Sequence, residues 1–285
     1  MTIQGRENKA GLVLAQQQSR LLGFTLLELL VTIAIIATLA GLLLTATSRS
    51  KKVAQRIACT NNHRQLVLGW LQYAHEGDSE LMPNVDGVDK PPSVTNWVAG
   101  DIQRPTGVDA TNTALLVDRD QSLMAAFIDS PRIYKCPSDP SRWARSVSMN
   151  NRLNPVRALG VPSCTGGIGT NFMVYLKLQD IRDPSRIYVT LDERFDSINE
   201  GNFAVDMSNT GTLSGVGTVN PYYWVDTPAS YHEESLMLSF ADGHVEPHRW
   251  LDPATLGPLL ITGIRHTSAS DPNIQWMQEH ATERR

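Results

Sequence analysis

The sequence predicts an α+β protein in which one long N-terminal helix, first transmembrane and then amphipathic, packs on a small antiparallel β-sheet domain with long loops. Two observations predict this class. An apolar run near the N terminus leads, without a proline, into a helical pattern that reaches Glu76. Farther along, short alternating apolar runs are bounded by Gly, Pro, Asn and Ser, which is typical of strands joined by turns. At 285 residues, the chain is long enough to bury a hydrophobic core.

The apolar run from Phe24 to Leu44 predicts a transmembrane helix. Between Leu21 and Ser48, Glu28 is the only ionisable residue. As a helix, the run extends about 31 Å, close to the thickness of the hydrocarbon core of a bilayer. Residues 1–23 carry more basic than acidic side chains, so we assign them to a leader peptide. An ordinary secretory signal peptide is the alternative, but the run is longer than a signal's usual apolar core and no clear cleavage site follows it.

The helical pattern continues beyond the membrane segment, from residue 45 to residue 76. Apolar residues recur there at steps of three and four, and basic residues occupy positions between them. The apolar set is Val53, Ile57, Leu66, Trp70 and Tyr73. We therefore predict an amphipathic continuation of the same helix, which covers the sheet and ends before Gly77.

The start of the apolar run carries the motif Gly23-Phe24-Thr25-Leu26-Leu27-Glu28. This motif resembles the processing site of type IV prepilins and of the pseudopilins of type II secretion systems. The resemblance implies that prepilin peptidase cuts after Gly23 and N-methylates Phe24. It also implies that Glu28 meets the methylated N terminus of a neighbouring subunit, which neutralises a carboxylate that is costly inside a bilayer. Alternatively, Glu28 reaches back to the membrane interface.

Several later segments resemble the prepilin-like family that carries an H-X9-DG processing-associated domain. The matching segments begin at Cys59, Trp70, Trp97, Tyr134 and Arg145. The H-X9-DG segment itself runs from His232 to Asp242-Gly243. The resemblance places a pilin-like globular domain at residues 77–250 and leaves residues 251–285 as a C-terminal extension.

Alternating residues on both sides of Asp242-Gly243 predict a β-hairpin with a two-residue turn. In that register residue 237 lies opposite residue 248, and Pro247 requires an edge strand or a bulge. A straight strand separates His232 from Asp242 by roughly 30 Å, so these two residues cannot share a metal ion or a proton. We therefore interpret His232 as a packing residue and Asp242-Gly243 as turn residues, in preference to a catalytic pair.

The sequence offers no pattern from which to build a catalytic centre or a firm metal site. It has no CxxC or HExxH pattern, no phosphate-binding glycine loop and no serine elbow. We therefore expect a protein that is not an enzyme, with no catalytic residue and no cofactor. Asp192, Glu193 and Asp196 follow a predicted strand and are calcium candidates, but their spacing is not that of an EF-hand and a solvated loop is the simpler interpretation.

The three cysteines permit a disulfide if the domain is exported, because oxidising compartments allow such bonds. Cys59 and Cys136 both lie in segments that resemble the H-X9-DG family, whereas Cys164 lies in a glycine-rich stretch. On that basis we expect a disulfide between Cys59 and Cys136. Reduced, buried thiols are the alternative.

The resemblance implies a structural, pilin-like subunit of a type II secretion or type IV pilus-like filament. The implied partners are prepilin peptidase, other pilin-like subunits and the inner membrane, with a periplasmic C-terminal domain or an extracellular filament. Basic residues around the span favour the opposite orientation, but long domains cross a membrane largely regardless of charge. A net charge of −4 argues against a nucleic-acid partner. The alternative function is a membrane-anchored periplasmic binding protein or enzyme that uses the stem only as an anchor.

Overall fold

Helix α1 runs from Leu26 to Glu76, as the sequence predicts. The structure is a computed structural model, and it describes residues 23–86, 94–102, 108–157, 172–205, 207, 223–252, 255, 257, 265–266 and 271–285. The leader peptide before Gly23 and the third cysteine, Cys164, lie outside these described residues. The chain divides into two units, Met1–Arg49 and Ser50–Arg285, which are described in turn.

The part of α1 in the first unit is exposed along its whole described length. Every residue from 23 to 49 is exposed, including Phe24 at 69% and Leu26 at 80%. The threonine hydroxyls bond within the helix; Thr32, for example, donates to the carbonyl oxygen of Leu29 at 2.8 Å. Because such polar groups are satisfied locally, they add little to the cost of placing the helix in lipid. Within the described residues, α1 is the one helix that is long and apolar enough to cross a membrane.

The part of α1 in the second unit buries one face. Its buried residues recur at steps of three and four, and they are Cys59, His63, Leu66, Val67, Gly69, Trp70 and Ala74. Burial begins at Cys59, so Val53 and Ile57 of the predicted apolar set are exposed instead. The helix ends at Glu76 as predicted. The residues that turn the chain are Asp78 and Ser79, both with positive φ.

Nine short strands follow α1 in the described part of the chain. In chain order they are β1 Asn84–Asp86, β2 Val147–Asn150, β3 Pro155–Arg157, β4 Tyr188–Asp192, β5 Asn202–Phe203, β6 Tyr223–Trp224, β7 Ser235–Phe240, β8 Val245–Arg249 and β9 Arg265–His266. Short 3-10 helices span Val108–Thr111, Thr113–Val117, Leu123–Ala126, Pro131–Tyr134 and Leu178–Asp180.

Five of these strands form one sheet in the order β5-β2-β4-β7-β8, and the pairs β1–β3 and β6–β9 stand apart from it. The sheet is mixed rather than purely antiparallel, because β5 pairs with β2 in parallel. The connection after β4 carries the chain past β2 to the far side of that strand, where β5 runs in the same direction as β2. The remaining neighbours in the sheet are antiparallel, as predicted.

Strands β7 and β8 form the predicted hairpin, and β8 lies at the sheet edge, where Pro247 is tolerated. The turn is one residue longer than predicted. The Phe240 N–H donates to the carbonyl oxygen of His244 at 3.0 Å, so residues 241–243 form the loop. Gly243 has φ +92°, which suits the left-handed position of a three-residue turn. The extra residue shifts the register, so Met237 pairs with Pro247 rather than with residue 248.

An irregularity in β4 decides which of its side chains face α1. The register against β7 shifts between Tyr188 and Thr190. Val189 packs in the core to which α1 contributes, and the hydroxyl of the next residue, Thr190, bonds to His63 of α1 at 2.9 Å. Because side chains alternate after this bulge, Asp192 faces α1 as Thr190 does.

Residues 251–285, predicted as a C-terminal extension, contribute helix α2, Pro272–Ala281, to the second unit. Asp271 caps this helix by accepting a hydrogen bond from the N–H of Asn273 at 2.8 Å. Ile274, Met277 and Ala281 are fully buried and pack with side chains of β4, β5 and β7. Helix α2 is therefore part of the hydrophobic core of the second unit.

Candidate functional site

The processing motif forms a reciprocal cap at the start of α1. The hydroxyl oxygen of Thr25 accepts a hydrogen bond from the N–H of Glu28 at 3.2 Å. The Glu28 carboxylate accepts from the backbone N–H and the hydroxyl of Thr25, both at 2.8 Å. This arrangement is a capping box, with threonine at the N-cap and glutamate three residues later. Glu28 is therefore satisfied within its own chain, at the positive end of the helix dipole.

The predicted scissile bond, between Gly23 and Phe24, is accessible in the described part of the chain. Phe24 is exposed, and a side chain added at Gly23 would meet no atom within 4 Å. Packing among the described residues therefore does not require a glycine there.

The two ends of the H-X9-DG segment have different surroundings. Asp242 lies in the turn after β7. Its carboxylate accepts a hydrogen bond from the backbone N–H of His244 at 3.0 Å and lies 2.6 Å from Nδ1 of the His244 ring. Together with Gly243, it shapes the turn. His232 lies in the turn before β7 and contacts a thiol in a buried cluster.

Four potential metal ligands meet in the second unit, between α1 and the sheet. They are Cys59 on α1, Cys136 just after the 3-10 helix that ends at Tyr134, Asp192 at the end of β4, and His232. Their ligand atoms all lie within 4.8 Å of one another. The sulfur of Cys59 is 3.0 Å from Oδ2 of Asp192, and the sulfur of Cys136 is 3.2 Å from Nε2 of His232. Among the described residues, this is the one such group found.

His63 and Ser146 hold the carboxylate of Asp192 in this cluster. Nε2 of His63 lies 3.2 Å from Oδ2 of Asp192, and the Ser146 hydroxyl donates to Oδ1 at 2.7 Å. The other ring nitrogen of His63 bonds to the hydroxyl of Thr190 at 2.9 Å, which fixes the ring. The Ser146 oxygen also accepts the backbone N–H of Cys136 at 2.8 Å. One hydroxyl therefore orients both a carboxylate and a cysteine of the cluster.

The surroundings of Asp192 favour its ionised form. Burial alone would raise the pKa of this carboxyl group. The charge and hydrogen bond of His63, with hydrogen bonds from Cys59 and Ser146, outweigh burial and lower the pKa. Asp192 is therefore a buried carboxylate that carries its negative charge at neutral pH.

The two thiols are electrostatically different. The hydrogen bond between them and burial raise the pKa of Cys59 well above its ordinary value, and the nearby Asp192 carboxylate adds to this effect. The same hydrogen bond lowers the pKa of Cys136, and His232 contributes in the same direction. Burial acts to lower the pKa of His232, but its contact with Cys136 raises it overall. The contact between Cys136 and His232 therefore favours a thiolate beside an imidazolium.

A thiolate beside an imidazole is also the arrangement of a nucleophilic catalyst. Here Cys136 is 1% exposed and His232 is 7% exposed. Both groups are therefore closed to solvent. The closed cluster therefore suits a structural role better than catalysis.

Cys59 and Cys136, the expected disulfide partners, do come together, but both are free and buried in the structure. Each sulfur instead takes a polar partner, Asp192 for Cys59 and His232 for Cys136. The observed state is therefore the alternative one, reduced and buried thiols.

The three calcium candidates do not converge on one site. Asp192 faces the cluster around the thiols. Glu193 is buried and accepts a hydrogen bond from the hydroxyl of Ser148 at 2.7 Å. Asp196 forms an ion pair with Arg194 at 2.6 Å. Because each carboxylate has a different partner, the structure does not assemble a set of oxygen ligands from them.

Sequence patterns indicate each member of the cluster separately, but they do not predict the group or its supporting residue His63. One signal could have found His63. It lies four residues after Cys59 on α1, so both side chains project from the same face of the helix.

Comparison with protein families finds that residues 20–44 match the prokaryotic N-terminal methylation motif. Comparisons with curated proteins and with solved structures give no match. The matched residues include Gly23, Phe24 and Glu28 and the exposed start of α1. The N terminus is thus of the type IV pilin kind, that of a precursor processed by prepilin peptidase, and the apolar helix fits membrane anchoring. The assignment of the H-X9-DG domain stays a prediction.

Proposed function

We propose that this chain is a structural, pilin-like (pseudopilin) subunit, cleaved after Gly23, N-methylated at Phe24 and assembled into a type II secretion or type IV pilus-like filament. The observation that carries the proposal is the methylation motif at residues 20–44, which leads directly into a helix with an exposed apolar surface. Such a surface has to be covered by lipid or by other subunits. The proposed partners are therefore prepilin peptidase, the inner membrane and other pilin-like subunits.

Glu28 supports assembly because its present contacts are local and can be shared with a neighbour. Its carboxylate bonds to Thr25, the residue directly after Phe24. Cleavage after Gly23 creates a new amino group on Phe24. Glu28 lies in the first turn of the apolar helix, and a carboxylate inside a bilayer is costly without a partner, so an ammonium group from an adjacent subunit is a favourable partner.

We also propose that the chain has no enzymatic activity. The thiol and imidazole of the buried cluster are closed to substrates. The alternative, an anchored binding protein, would use the cleft of about 560 Å³ beside α2. The charged residues that line this cleft are of both signs, and they are Arg186, Glu279, Glu283 and Arg284.

Mass spectrometry of the mature N terminus tests the processing step. We expect the first peptide to begin with N-methyl-Phe24. Gly23→Ala should block cleavage while the chain still inserts, because the structure leaves room for a side chain there. A mature chain that still begins at Met1, or that begins beyond Leu44, would contradict the proposal.

A series of variants at Glu28 tests assembly. Glutamine can replace glutamate in a capping box but carries no charge, so Glu28→Gln separates helix capping from charge pairing. We expect Glu28→Gln and Glu28→Leu both to be processed, to stay in the membrane and to disappear from the sheared surface fraction. The matched control, Thr25→Ala, removes the local hydroxyl partner but keeps the charge, and it should still assemble.

The outcome of that series is decisive in either direction. If Glu28→Gln reaches the sheared fraction as the parent chain does, Glu28 acts as a cap and not as a charge partner. If Glu28→Leu also does so, the exposed stem assembles by another mechanism and the proposed role of Glu28 is wrong.

A further inference from the structure

We propose that Cys59, Cys136, Asp192 and His232 bind one zinc ion, in a structural site that fastens the second-unit part of α1 to the sheet. The inference concerns residues 50–285 alone, and it does not depend on whether the chain enters a filament.

The geometry of the cluster is close to that of a tetrahedral zinc site. Zinc binds cysteine sulfur at about 2.3 Å and histidine nitrogen or carboxylate oxygen at about 2.0–2.2 Å, which places the ligand atoms roughly 3.2–3.8 Å apart. The sulfur of Cys59 and the carboxylate of Asp192 are 3.0 Å apart, and the sulfur of Cys136 and the ring of His232 are 3.2 Å apart. All four ligand atoms lie within 4.8 Å of one another. Small side-chain movements therefore suffice to seat the ion.

The donor set favours zinc over calcium and magnesium. Calcium and magnesium prefer shells built of oxygen, and two sulfurs among four ligands disfavour them. Two cysteines, one histidine and one aspartate are all ordinary zinc ligands, and four protein ligands are typical of closed structural sites. Both cysteines bind as thiolates and His232 binds as a neutral imidazole, so the proton of Cys59 and the proton shared by Cys136 and His232 both leave to solvent when the ion enters.

The residues behind the ligands support the same assignment. Metal ligands are usually oriented by a second set of hydrogen bonds. Here His63 and Ser146 hold the two oxygens of Asp192. The backbone N–H of Ser138 donates to the sulfur of Cys136 at 3.4 Å. A donor to a buried sulfur stabilises the thiolate that zinc requires.

Charge also favours a bound dication. Once both cysteines are deprotonated, two thiolates and one carboxylate place three negative charges in a buried volume, and a dication balances two of them. The imidazole of His63 lies 3.2 Å from this carboxylate. Without a cation, burying these groups in ionised form would be costly.

The competing state of this cluster is a disulfide between Cys59 and Cys136. That bond would remove the S–H group that Cys59 donates to Asp192, and it would leave the Cys136 sulfur without the negative charge that favours its contact with His232. A zinc ion accounts for the convergence of all four side chains, whereas a disulfide accounts only for the convergence of the two cysteines.

Metal analysis of the full-length protein separates these states. The chain is purified in detergent without reductant, its metals are measured by mass spectrometry, and free thiols are alkylated during denaturation with a chelator and located by peptide mapping. We expect one zinc per chain, with Cys59 and Cys136 both alkylated. A Cys59–Cys136 disulfide, another metal in place of zinc, or free thiols without metal would each overturn the proposal.

Variants test the assignment of ligands and of their support. His232→Asn should lower zinc affinity at least tenfold, while the control His75→Asn, at an exposed histidine near the end of α1, should leave it unchanged. Ser146→Ala keeps every ligand but removes the hydroxyl that orients Asp192, so we expect a 10- to 100-fold loss of affinity. Its control is Ser138→Ala, which retains the backbone N–H and should bind zinc normally. Equal affinity in His232→Asn and the parent would overturn the assignment.

Cobalt replacement in the parent chain gives a result that does not depend on variants folding. The protein is stripped with a chelator and reloaded with Co²⁺ under anaerobic conditions. We expect absorption from thiolate-to-cobalt charge transfer and from a tetrahedral cobalt centre, which added zinc should bleach. Reloaded protein that lacks the charge-transfer band would overturn the proposal.

Discussion

Arg145 is a buried arginine that holds backbone carbonyl groups together. Its guanidinium donates to the carbonyl oxygen of Val147 at 3.0 Å and also to that of Asn199. Burial lowers its pKa to about 10, although the acidic groups around it act in the opposite direction. The group therefore stays charged at neutral pH. Gly201 lies close to this arginine, and its carbonyl oxygen accepts a hydrogen bond from the indole N–H of Trp97 at 3.1 Å.

Gly201 offers a prediction at the scale of a single residue. It has φ +113°, and an added Cβ would lie 2.6 Å from Cγ1 of Val98. Gly201→Ala therefore combines backbone strain with overpacking, and we expect it to reduce the free energy of unfolding by about 2–4 kcal/mol.

Gly100→Ala is the matched control for this prediction. Gly100 also has a positive φ, +95°, but its added Cβ would make only ordinary contacts, the nearest at 3.7 Å. Chemical denaturation of the full chain in detergent measures both variants. Equal losses in the two variants would show that the close approach at Gly201 is relieved by movement of Val98.

Strand β8 and helix α2 are joined by a stack of aromatic rings. His248 of β8 stacks on Trp276 of α2 with ring centroids 3.8 Å apart, and Trp276 stacks on His280 at 3.9 Å. Burial lowers the pKa of His248 to about 4, and the nearby His280 adds to this effect. The folded protein therefore keeps His248 neutral at pH values at which a solvated histidine is protonated.

This stack predicts how stability depends on pH at the scale of two elements. Below about pH 6.5 the unfolded chain takes up a proton that folded His248 refuses, so stability falls as the pH drops towards about 4. The ring is partly solvated, so we expect a contribution of at most about 2 kcal/mol. The second histidine of the stack, His280, is also near charged groups, which are Arg186, Glu246 and Glu279.

His248→Phe should keep the stacking and remove the titration. We expect the difference in unfolding free energy between pH 7 and pH 4.5 to be smaller in His248→Phe than in the parent. Carboxylates titrate in both proteins, so the comparison cancels their contribution. An identical pH dependence in the two proteins would show that His248 is already protonated in the folded state.

Local pattern predicts some elements of this fold and misses others for physical reasons. Helix α1 and the hairpin of β7 and β8 follow from signals within a few residues, and both form. The turn at Gly243 has one more residue than the Asp-Gly pair suggests, because loop length is set by the pairing of whole strands. The bulge in β4, which turns Asp192 towards α1, depends on the register against β7 and has no local signature.

On the scale of the whole molecule, the buried cluster is a feature that local sequence pattern does not predict. Cys59, Cys136, Asp192 and His232 come from four segments that are far apart in the chain. The hairpin correctly suggested that His232 and Asp242 lie at opposite ends of a strand. That reasoning could not identify which residues of other segments meet His232, because only tertiary packing brings them together.

Membrane orientation is a prediction about the whole chain. We expect the second unit to lie in the periplasm, although the basic residues after the span, which are Arg49, Lys51, Lys52 and Arg56, outnumber those before it. Protease added to intact spheroplasts should therefore digest the second unit while a cytoplasmic marker survives. Protection of the second unit until the cells are lysed would reverse the orientation.

The burial of α2 bears on the order in which the protein is made. The five-stranded sheet is complete once Arg249 has been synthesised, but Leu236, Leu238 and Phe240 pack with Ile274 and Met277 of α2. Until the ribosome has added Ile274 and Met277, the nascent chain exposes this hydrophobic surface, a feature that chaperones recognise. Because the core is completed only when α2 has been synthesised, the chain would still be unfolded when it enters a translocation channel.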